Sequence, residues 1–346
     1  IASQPYEQVL DDVKKMPGAR WFAGARLNFA ENLLRYRDDR KALVFNGESQ
    51  VRRTLTYAEL YDEVARVAKS LKAAGVTVGD RVVGFMPNMP ESIVAMLAAT
   101  SIGATWSSCS PDFGIKGVLD RFGQIKPKVL FTADGYFFKG KRIDSLGRIA
   151  DILKQLPSIE KLVVVPYTKA SPDISAVPNA VMYADFRSDE PGLTIAFEQL
   201  PFDHPLYIMY SSGTTGLPKC MVQSAGGILI HHLKELMLHT DLKREDTIFY
   251  FTTCGWMMWN WLVSSLGVGA TLVLYDGNPF HPSAGVLWEM AQEDGITVFG
   301  TSAGYIAALQ ASGLKPKEQY DLSKLRAVLS TGSPLSIEGF EFIYDA

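Results

Sequence analysis

Cysteine is scarce in this sequence, and the positions of the cysteines argue against both a disulfide-stabilised fold and a zinc-stabilised fold. The 346 residues include three cysteines, Cys109, Cys220 and Cys254, which are odd in number and far apart. No C-x-x-C pair is present, so the pattern predicts neither a disulfide framework nor a zinc site. The first dozen residues are polar and charged and show no secretory signal. We therefore expect reduced thiols and a cytoplasmic protein.

A strong excess of either charge is also lacking. Lysine and arginine number 34 and aspartate and glutamate 37, which leaves a net charge of −3. A chain without excess positive charge is not expected to bind nucleic acid in bulk. The five histidines have no acidic neighbours at metal-ligand spacing, so we expect them at the surface or in packing. The role of His281, which sits in a turn, is left open.

The sequence has no clear membrane span. Residues 247–275 carry no charge, a length sufficient to cross a bilayer. Hydroxyl, amide and glycine residues interrupt this segment, and residues 271–275 have the pattern of a separate strand. We expect a buried helix followed by a buried strand.

What the chain does have is a regular alternation of strand and helix patterns. Its apolar fraction of 47% is enough for a large core. From residue 81 onward the alternation predicts an α/β fold with layered, mostly parallel sheets flanked by helices. Such sheets bind ligands beyond the carboxyl ends of their strands. Upstream, the pair Asn46–Gly47 predicts a hairpin turn between two strands.

One loop carries the strongest chemical signal. Residues 209–219, Met-Tyr-Ser-Ser-Gly-Thr-Thr-Gly-Leu-Pro-Lys, lie between two strand patterns that precede a helix. The loop is not a Walker A motif, and the chain has no G-x-G-x-x-G fingerprint. Glycines let backbone amides approach a ligand, consecutive amides form an anion nest, and Lys219 adds a point charge. Composition alone leaves an ordinary flexible loop as an equal alternative to a phosphate cradle.

The segment Ser211–Lys219 resembles the phosphate-binding loop of the acyl-adenylate-forming superfamily, which includes acyl-CoA synthetases, peptide-synthetase adenylation domains and luciferases. Cys220 stands where the superfamily pattern ends in glycine. The resemblance implies catalytic roles for Thr214 and Lys219 and places Thr214 or Thr215 near Mg²⁺. The implied binding residues for the nucleotide phosphates are Ser211, Ser212, Gly213, Thr214, Thr215, Gly216 and Lys219.

A second segment resembles the pocket wall of the short-chain acyl-CoA synthetases. Gly255 and Trp256 match a Gly-Trp pair that closes a small, dry carboxylate slot in that family. Met257 and Met258 stand where the acetate enzymes have smaller or hydroxylated residues, which implies a small acid other than acetate. The alternative is core packing, because methionine and tryptophan fill cores well.

Two more segments match the superfamily. The turn after a strand pattern at Gly332, Ser333 and Pro334 resembles the segment that lies against adenine and ribose; a plain turn is the alternative. The basic stretch 138–142 is expected to be a loop before a helix, with a solvated charge cluster as the default. It resembles a segment that meets the phosphates of coenzyme A. The implied coenzyme A ligands are Lys139, Lys141 and Arg142.

The resemblance runs from residue 19 to the end of the chain and is closest to enzymes that activate acetoacetate. The resemblance implies that the protein uses ATP, Mg²⁺ and coenzyme A and that its other partners are small molecules only. It leaves the oligomeric state unknown. The implied fold is the large N-terminal domain of adenylate-forming enzymes, without the C-terminal lid domain. We expect an arm over residues 1–35, a first α/β subdomain over 36–204 and a second over 205–346. The second carries the phosphate loop and is expected to be incomplete at its C-terminus.

Several functional hypotheses remain open at this stage. One is a synthetase for acetate, propionate or butyrate, and another is a peptide-synthetase adenylation domain. A third is a non-catalytic module that binds ATP as a sensor. A chain of this extent is expected to bind nucleotide weakly and not to turn over by itself.

Overall fold

The computed structural model describes residues 1–211 and 216–346, which form two large sheets, three two-stranded pairs and the helices around them. The strands in chain order are β1 Gln8–Leu10, β2 Trp21–Ala23, β3 Arg26–Leu27, β4 Lys41–Gly47, β5 Val51–Thr56, β6 Arg81–Phe85, β7 Thr105–Cys109, β8 Val129–Ala133, β9 Gly135–Phe138, β10 Lys141–Asp144, β11 Lys161–Val165, β12 Ala180–Met182, β13 Leu200–Pro201, β14 Pro205–Ser211, β15 Lys219–Ser224, β16 Thr247–Tyr250, β17 Thr271–Asp276, β18 Val298–Ser302 and β19 Ala327–Thr331. The helices are α1 Phe29–Leu33, α2 Tyr57–Ala73, α3 Pro90–Ser101, α4 Ile115–Ile125, α5 Leu146–Leu153, α6 Tyr183–Phe186, α7 Ala225–Lys234, α8 Met257–Ser264, α9 Val286–Asp294, α10 Ala303–Ser312, α11 Pro316–Gln319 and α12 Ile337–Asp345. A π-helical turn, Glu235–His239, extends α7, and a 3₁₀ turn, Ser265–Gly267, extends α8.

The larger sheet has seven strands in the order β12-β11-β8-β6-β7-β14-β15. Its strands are parallel except for β15, which runs back beside β14 and pairs Lys219 with Ser211. Helices α3, α4 and α5 lie in the crossovers from β6 to β7, β7 to β8 and β8 to β11, whereas residues 166–179 join β11 to β12 without a helix. The strand–loop–strand–helix arrangement predicted around residues 209–219 is therefore confirmed for its strands and its helix.

The second sheet has six strands in the order β19-β18-β16-β17-β4-β5, parallel except for β5. The two sheets do not follow the expected division of the chain into subdomains between residues 204 and 205. The early strands β4 and β5 join the sheet of the later segment, whereas β14 and β15 join the sheet of the earlier one. The α/β class and the mostly parallel sheets are confirmed.

Helix α3 lies between the two sheets and explains how they pack. Eleven of its twelve residues are buried, and these eleven are all apolar or small; the twelfth, Glu91, pairs with Arg53. A helix apolar all round needs partners on all its faces. One core contains its side chains together with Val82 of β6 and Ile248 of β16, so both sheets contribute to it.

The outer faces of the sheets are covered by further helices. Side chains alternate between the two faces of a strand, so Val83 turns away from α3 and packs with Val118 of α4. In the six-stranded sheet, Phe249 packs with Trp288 of α9. The chain therefore has five layers, in which helices cover both outer faces and separate the sheets.

Local sequence signals set several helix ends. Helix α2 begins with a capping box, in which the Thr56 hydroxyl accepts from the Glu59 amide and the Glu59 carboxylate accepts from the Thr56 amide. Helices α9 and α10 end at Gly295 and Gly313, whose φ angles are 64° and 74°. Glycine adopts this left-handed conformation without a steric penalty.

The predicted hairpin turn at Asn46–Gly47 is wrong by two residues. Both residues belong to β4, where Gly47 pairs with Val51, and the turn comprises residues 48–50. A Cβ on Gly47 would lie 2.3 Å from the hydroxyl of Tyr167, so this glycine serves a close approach rather than a turn. Glu48 takes the left-handed conformation, with φ of 45°.

The charge-free segment 247–275 is a buried part of the core. It forms β16, α8 and β17, in agreement with the predicted buried helix and strand. Within residues 1–211 and 216–346, the structure contains no helix with the length and apolarity needed to cross a membrane.

Helices α7 and α8 meet at a buried histidine. His232 is fully buried, and its Nδ1 lies 2.7 Å from the hydroxyl of Ser264. That hydroxyl donates to the carbonyl of Asn260, so it accepts from Nδ1–H. Nε2 has no partner among the described residues. Burial lowers the pKa of His232 to about 4, so the ring is neutral in the folded protein.

We predict that this histidine makes the protein acid-sensitive. Its pKa falls from 6.5 to about 4 on folding, so its contribution to stability is complete above pH 6.5 and is lost as the pH falls toward 4. Between pH 7.5 and 5 the loss is about 2 kcal/mol. His232→Asn should reduce the pH dependence of the free energy of unfolding by that amount, as measured by urea titration. The exposed His239 gives the control, since His239→Asn should keep the wild-type dependence. An unchanged dependence in His232→Asn would contradict the assignment.

Candidate active site

The predicted phosphate loop, residues 211–219, leaves the carboxyl edge of the seven-stranded sheet. Ser211 ends β14, Lys219 begins β15, and the two residues pair across the antiparallel ladder. Gly216 is exposed and has φ of 89°. The remaining predicted ligands, Ser212, Gly213, Thr214 and Thr215, lie outside the described residues, so their roles, including the Mg²⁺ role, remain predictions. Within the described ranges, no three His, Cys, Asp or Glu side chains are grouped to hold a metal ion.

The predicted acyl segment, residues 255–258, and Cys254 before it lie against the end of β7, the strand beside β14. The Ser108 hydroxyl donates to the carbonyl of Cys254 at 2.7 Å. A Cβ on Gly255 would lie 3.4 Å from the amide nitrogen of Ser110. Because β7 and β14 are parallel neighbours, the acyl segment and the phosphate loop flank the same strand end.

The side chains of the acyl segment are partly open to solvent. The Trp256 indole is 65% exposed, and Met257 is 40% exposed. Met258 is half-buried against the core between the sheets. Trp256 is exposed because it lies at the protein surface, directly before the first turn of α8. The contact of these side chains with an acyl group remains a prediction.

The predicted adenine turn also lies at a carboxyl edge. Gly332, Ser333 and Pro334 directly follow β19 and are exposed, and Gly332 has φ of 95°. Strand β19 is two positions from β16, whose end leads into the acyl segment. With strands spaced about 4.8 Å apart, this separation is roughly 10 Å. The turn is thus placed on the same edge as the acyl segment, and its role remains a prediction.

The basic stretch is a β-hairpin rather than the plain loop that was expected. Strands β9 and β10 pair Phe138 with Lys141, which leaves Lys139 and Gly140 as a two-residue turn. Both turn residues have positive φ, 54° and 71°, as a type I′ turn requires. We call residues 135–144 the basic hairpin. The side chains of Lys139, Lys141 and Arg142 are all exposed on it.

Glu48 holds the turn of the basic hairpin. Its Oε1 accepts from the amide of Lys139 at 2.8 Å and from the amide of Asn278 at 3.0 Å. Its Oε2 accepts from the amide of Gly140 at 2.8 Å. One carboxylate therefore ties the basic hairpin, a two-stranded sheet that follows β8, to the loop after β17 of the six-stranded sheet. Sequence analysis did not identify this residue.

A cavity of about 330 Å³ joins these parts. Its walls include Ser110 and Asp112 after β7, Phe138 of the basic hairpin, Thr253 before the acyl segment, and Asp276 at the end of β17. The cavity therefore lies between the carboxyl ends of the two sheets, where open α/β sheets bind ligands. It extends from Phe138 of the basic hairpin to Thr253, two residues before Gly255.

Asp276 is an ionisable group on the cavity wall that sequence analysis also missed. Its Oδ2 accepts from the hydroxyl of Tyr167 at 2.8 Å. Burial, helped by the nearby carboxylates of Glu48 and Asp112, raises the pKa of Asp276 to about 7 against the opposing effect of the hydrogen bonds from Tyr167 and the Phe137 amide. A buried carboxyl group that titrates near neutrality in a cleft is a candidate functional group. The sequence signal was present, because Asp276-Gly-Asn-Pro directly follows an apolar strand.

Known proteins are similar to this chain in sequence. The sequence profile of the family described as AMP-binding enzyme matches residues 29–346. The chain is 53% identical, over its full 346 residues, to an acetoacetyl-coenzyme A synthetase from Rhizobium meliloti (strain 1021), of which it covers 53%. It is 39% identical to malonamoyl-CoA synthetase vrtB from Penicillium aethiopicum, with 99% of this chain and 51% of that protein covered.

A solved structure is similar over the whole chain. Acetoacetyl-CoA synthetase from Streptomyces lividans matches with a TM-score of 0.94 and 45% identity, over 100% of this chain and 53% of that one. The layered, mostly parallel sheets thus correspond to the N-terminal part of that structure. The chain spans about half the length of the curated relatives it matches.

The raised pKa of Asp276 leads to a stability prediction. The pKa of this carboxyl group is about 7 in the folded protein, against a usual value of 3.8. Its contribution to the free energy of unfolding is therefore complete below pH 3.8 and is lost as the pH rises through 7. Asp276→Asn should therefore stabilise the protein at pH 8 by about 2 to 4 kcal/mol, a gain that disappears near pH 4. Urea titration at the two pH values measures this difference.

The control for this prediction is Asp151→Asn. Asp151 is an exposed carboxylate whose side chain pairs with Lys154, and its replacement should change stability little at either pH. A lower stability of Asp276→Asn at pH 8 would show that the ionised carboxylate is well accommodated and would contradict the account.

Proposed function

The chain belongs to the AMP-binding enzyme family, and from this premise we propose that the protein is an AMP-forming acid–thiol ligase that converts acetoacetate to acetoacetyl-CoA. In the first step the carboxylate attacks the α-phosphorus of ATP, giving acetoacetyl-AMP and pyrophosphate. In the second step the thiol of coenzyme A takes the acyl group and AMP leaves. The main support from the structure is the meeting of the phosphate loop and the acyl segment at the end of β7.

The first step needs positioning and charge stabilisation more than covalent help. Ser211 and the residues that follow it hold the β- and γ-phosphates through amides and hydroxyls, and Lys219 adds positive charge. Gly332, Ser333 and Pro334 hold the adenine at the carboxyl edge of the six-stranded sheet. ATP enters as its Mg²⁺ complex. Thr214 and Thr215 are proposed near that ion.

The second step brings coenzyme A to the acyl group. The basic hairpin supplies Lys139, Lys141 and Arg142 for the phosphates, since ammonium and guanidinium groups pair well with phosphate oxygens. The cavity of about 330 Å³ between the hairpin and the acyl segment gives the pantetheine arm a route to the reacting carbon. Thr253 lies where this route reaches the acyl segment.

The proposed substrate class is a short acid with a carbonyl group at C3. Acetoacetate and malonamate, the acids that correspond to the names of the two relatives, share this group and differ in their terminal methyl or amino group. Gly255, Trp256, Met257 and Met258 are proposed to surround the acyl chain. We favour acetoacetate because the acetoacetyl-CoA synthetase shares 53% of residues with this chain and the malonamoyl-CoA synthetase 39%.

The proposal places the protein in the cytoplasm. The thiols of Cys109, Cys220 and Cys254 are all free, which agrees with a reducing compartment. Its proposed partners are small molecules.

We predict acetoacetate-dependent exchange of label between pyrophosphate and ATP in the complete protein. Butyrate has the same carbon count but no C3 carbonyl, so its exchange rate should be at least about tenfold lower. Acetate and propionate should also be slower, and malonamate should lie between acetoacetate and butyrate. Equal rates with acetoacetate and butyrate would contradict the proposed substrate class, and no exchange with any acid would indicate an ATP sensor.

The same assay tests the phosphate loop. Lys219→Ala should lower the exchange rate roughly 100-fold, because a charge aimed at the transferring phosphates is lost. Lys154→Ala removes an exposed lysine far from the carboxyl edge, on the last turn of α5, and should leave the rate unchanged. Equal rates in the two variants would remove Lys219 from the proposed site.

A further inference from the structure

We propose that Glu48 is a positioning residue for coenzyme A, which fixes the basic hairpin so that its cations meet the nucleotide phosphates. The inference rests on the proposed function and adds a residue that does not itself touch the substrate. Glu48 belongs to the turn after β4, far in sequence from the hairpin it holds. Its carboxylate nevertheless accepts both amides of the hairpin turn and the amide of Asn278.

The close packing around Glu48 leaves its side chain one path. Its own amide donates to the carbonyl of Asp276 at 2.9 Å, which anchors the residue to β17. A Cβ on Gly277 would lie 2.2 Å from Cγ of Glu48, so the side chain passes directly over this glycine. The Glu48 backbone adopts φ of 45°, a conformation that costs free energy in a residue with a side chain. The surrounding contacts hold it there.

The location of Glu48 also decides how the hairpin binds an anion. Successive inward amides with left-handed φ angles form an anion nest, and the amides of Lys139 and Gly140 form one. The Glu48 carboxylate fills that nest. A ligand phosphate is therefore left to the exposed side chains of the hairpin.

Those side chains are available for a ligand. In the described part of the chain, Lys139, Lys141 and Arg142 take part in no ion pair. Three cations within four residues repel one another, and a polyanion relieves that repulsion. The carboxylate of Glu48 stabilises the turn that brings them together, because carboxylate hydrogen bonds to amides are among the strong ones.

The other side of the turn is covered by His281. A Cβ on Gly140 would lie 2.8 Å from Nε2 of His281, so the imidazole ring packs against the glycine. The turn is thus held by Glu48 and covered by the ring of His281. The close packing explains the glycine at position 140, and it gives His281 a structural place that the sequence left open.

The test replaces the carboxylate in the complete protein. Glu48→Gln keeps the shape but exchanges one acceptor oxygen for an NH₂ group, which opposes one of the turn amides. We expect KM for coenzyme A to rise about tenfold, with pyrophosphate–ATP exchange changed less than about twofold. The KM for pantetheine, which lacks the nucleotide phosphates, should stay the same. This loss of preference for coenzyme A over pantetheine separates positioning from general destabilisation.

Three variants complete the design. Glu48→Asp keeps the charge but is one methylene too short to span the amides, so a smaller rise in KM for coenzyme A is expected even if Glu48→Gln folds poorly. Glu293→Gln removes a carboxylate with a side chain 52% exposed and should leave every constant unchanged. The triple variant Lys139→Ala, Lys141→Ala, Arg142→Ala should raise KM for coenzyme A more than Glu48→Gln does.

The outcomes distinguish a failure of the positioning role of Glu48 from a failure of the proposed function. If the triple variant raises KM for coenzyme A and the Glu48 variants do not, the positioning role is overturned and the proposed function stands. If the triple variant has no effect, the coenzyme A contact in the proposed function is itself overturned. Equal losses with coenzyme A and pantetheine in Glu48→Gln would show a purely structural role and would overturn the inference.

Discussion

The fold depends on one constraint, which is that every residue of helix α3 except Glu91 is apolar or small. Eleven of its twelve residues are buried, so the helix has to be covered by sheets rather than by water. Both large sheets contribute side chains to the same core. The consequence for function is geometric, because the carboxyl ends of strands from both sheets then meet at one cavity. Phe138 of the basic hairpin and Thr253, just before the acyl segment, both line that cavity.

The polar residues at the carboxyl ends of the strands destabilise the folded protein, and the rest of the fold offsets this destabilisation. The buried carboxyl of Asp276 has a pKa near 7, so its ionised form is disfavoured in the folded protein. Glu48 has an unfavourable backbone conformation and lies close enough to Asp276 to raise its pKa. Natural proteins hold such groups mainly where function needs them. The large core supplies the stability that makes this arrangement possible.

The sequence predicted features that depend on local pattern and missed those that depend on distant contacts. The strands on either side of the phosphate loop, the helix after it and the buried segment 247–275 follow from periodicity and were confirmed. The pairing of β4 with β17 joins segments more than two hundred residues apart, so no local pattern could place β4 in the later sheet.

The two turns near the site show the same limit. Asn46–Gly47 has the composition of a turn, but the contact between Gly47 and Tyr167 keeps both residues in a strand. The turn at Lys139–Gly140 depends on a carboxylate ninety-one residues upstream. The sequence also predicts that Trp256 closes a slot around the acyl group. Because closure of that slot depends on segments distant in sequence, this stays a prediction.

Isotope transfer tests the central claim, the formation of an acyl-adenylate at this edge, most directly. The complete protein would be given acetoacetate labelled with ¹⁸O in both carboxylate oxygens, together with ATP and coenzyme A, and the products analysed by mass spectrometry. Attack of the carboxylate on the α-phosphorus leaves one labelled oxygen in AMP when the thiol displaces it. The account predicts one ¹⁸O in each AMP formed and none in pyrophosphate. Label in inorganic phosphate, with ADP as the nucleotide product, would show an acyl phosphate route and would contradict it.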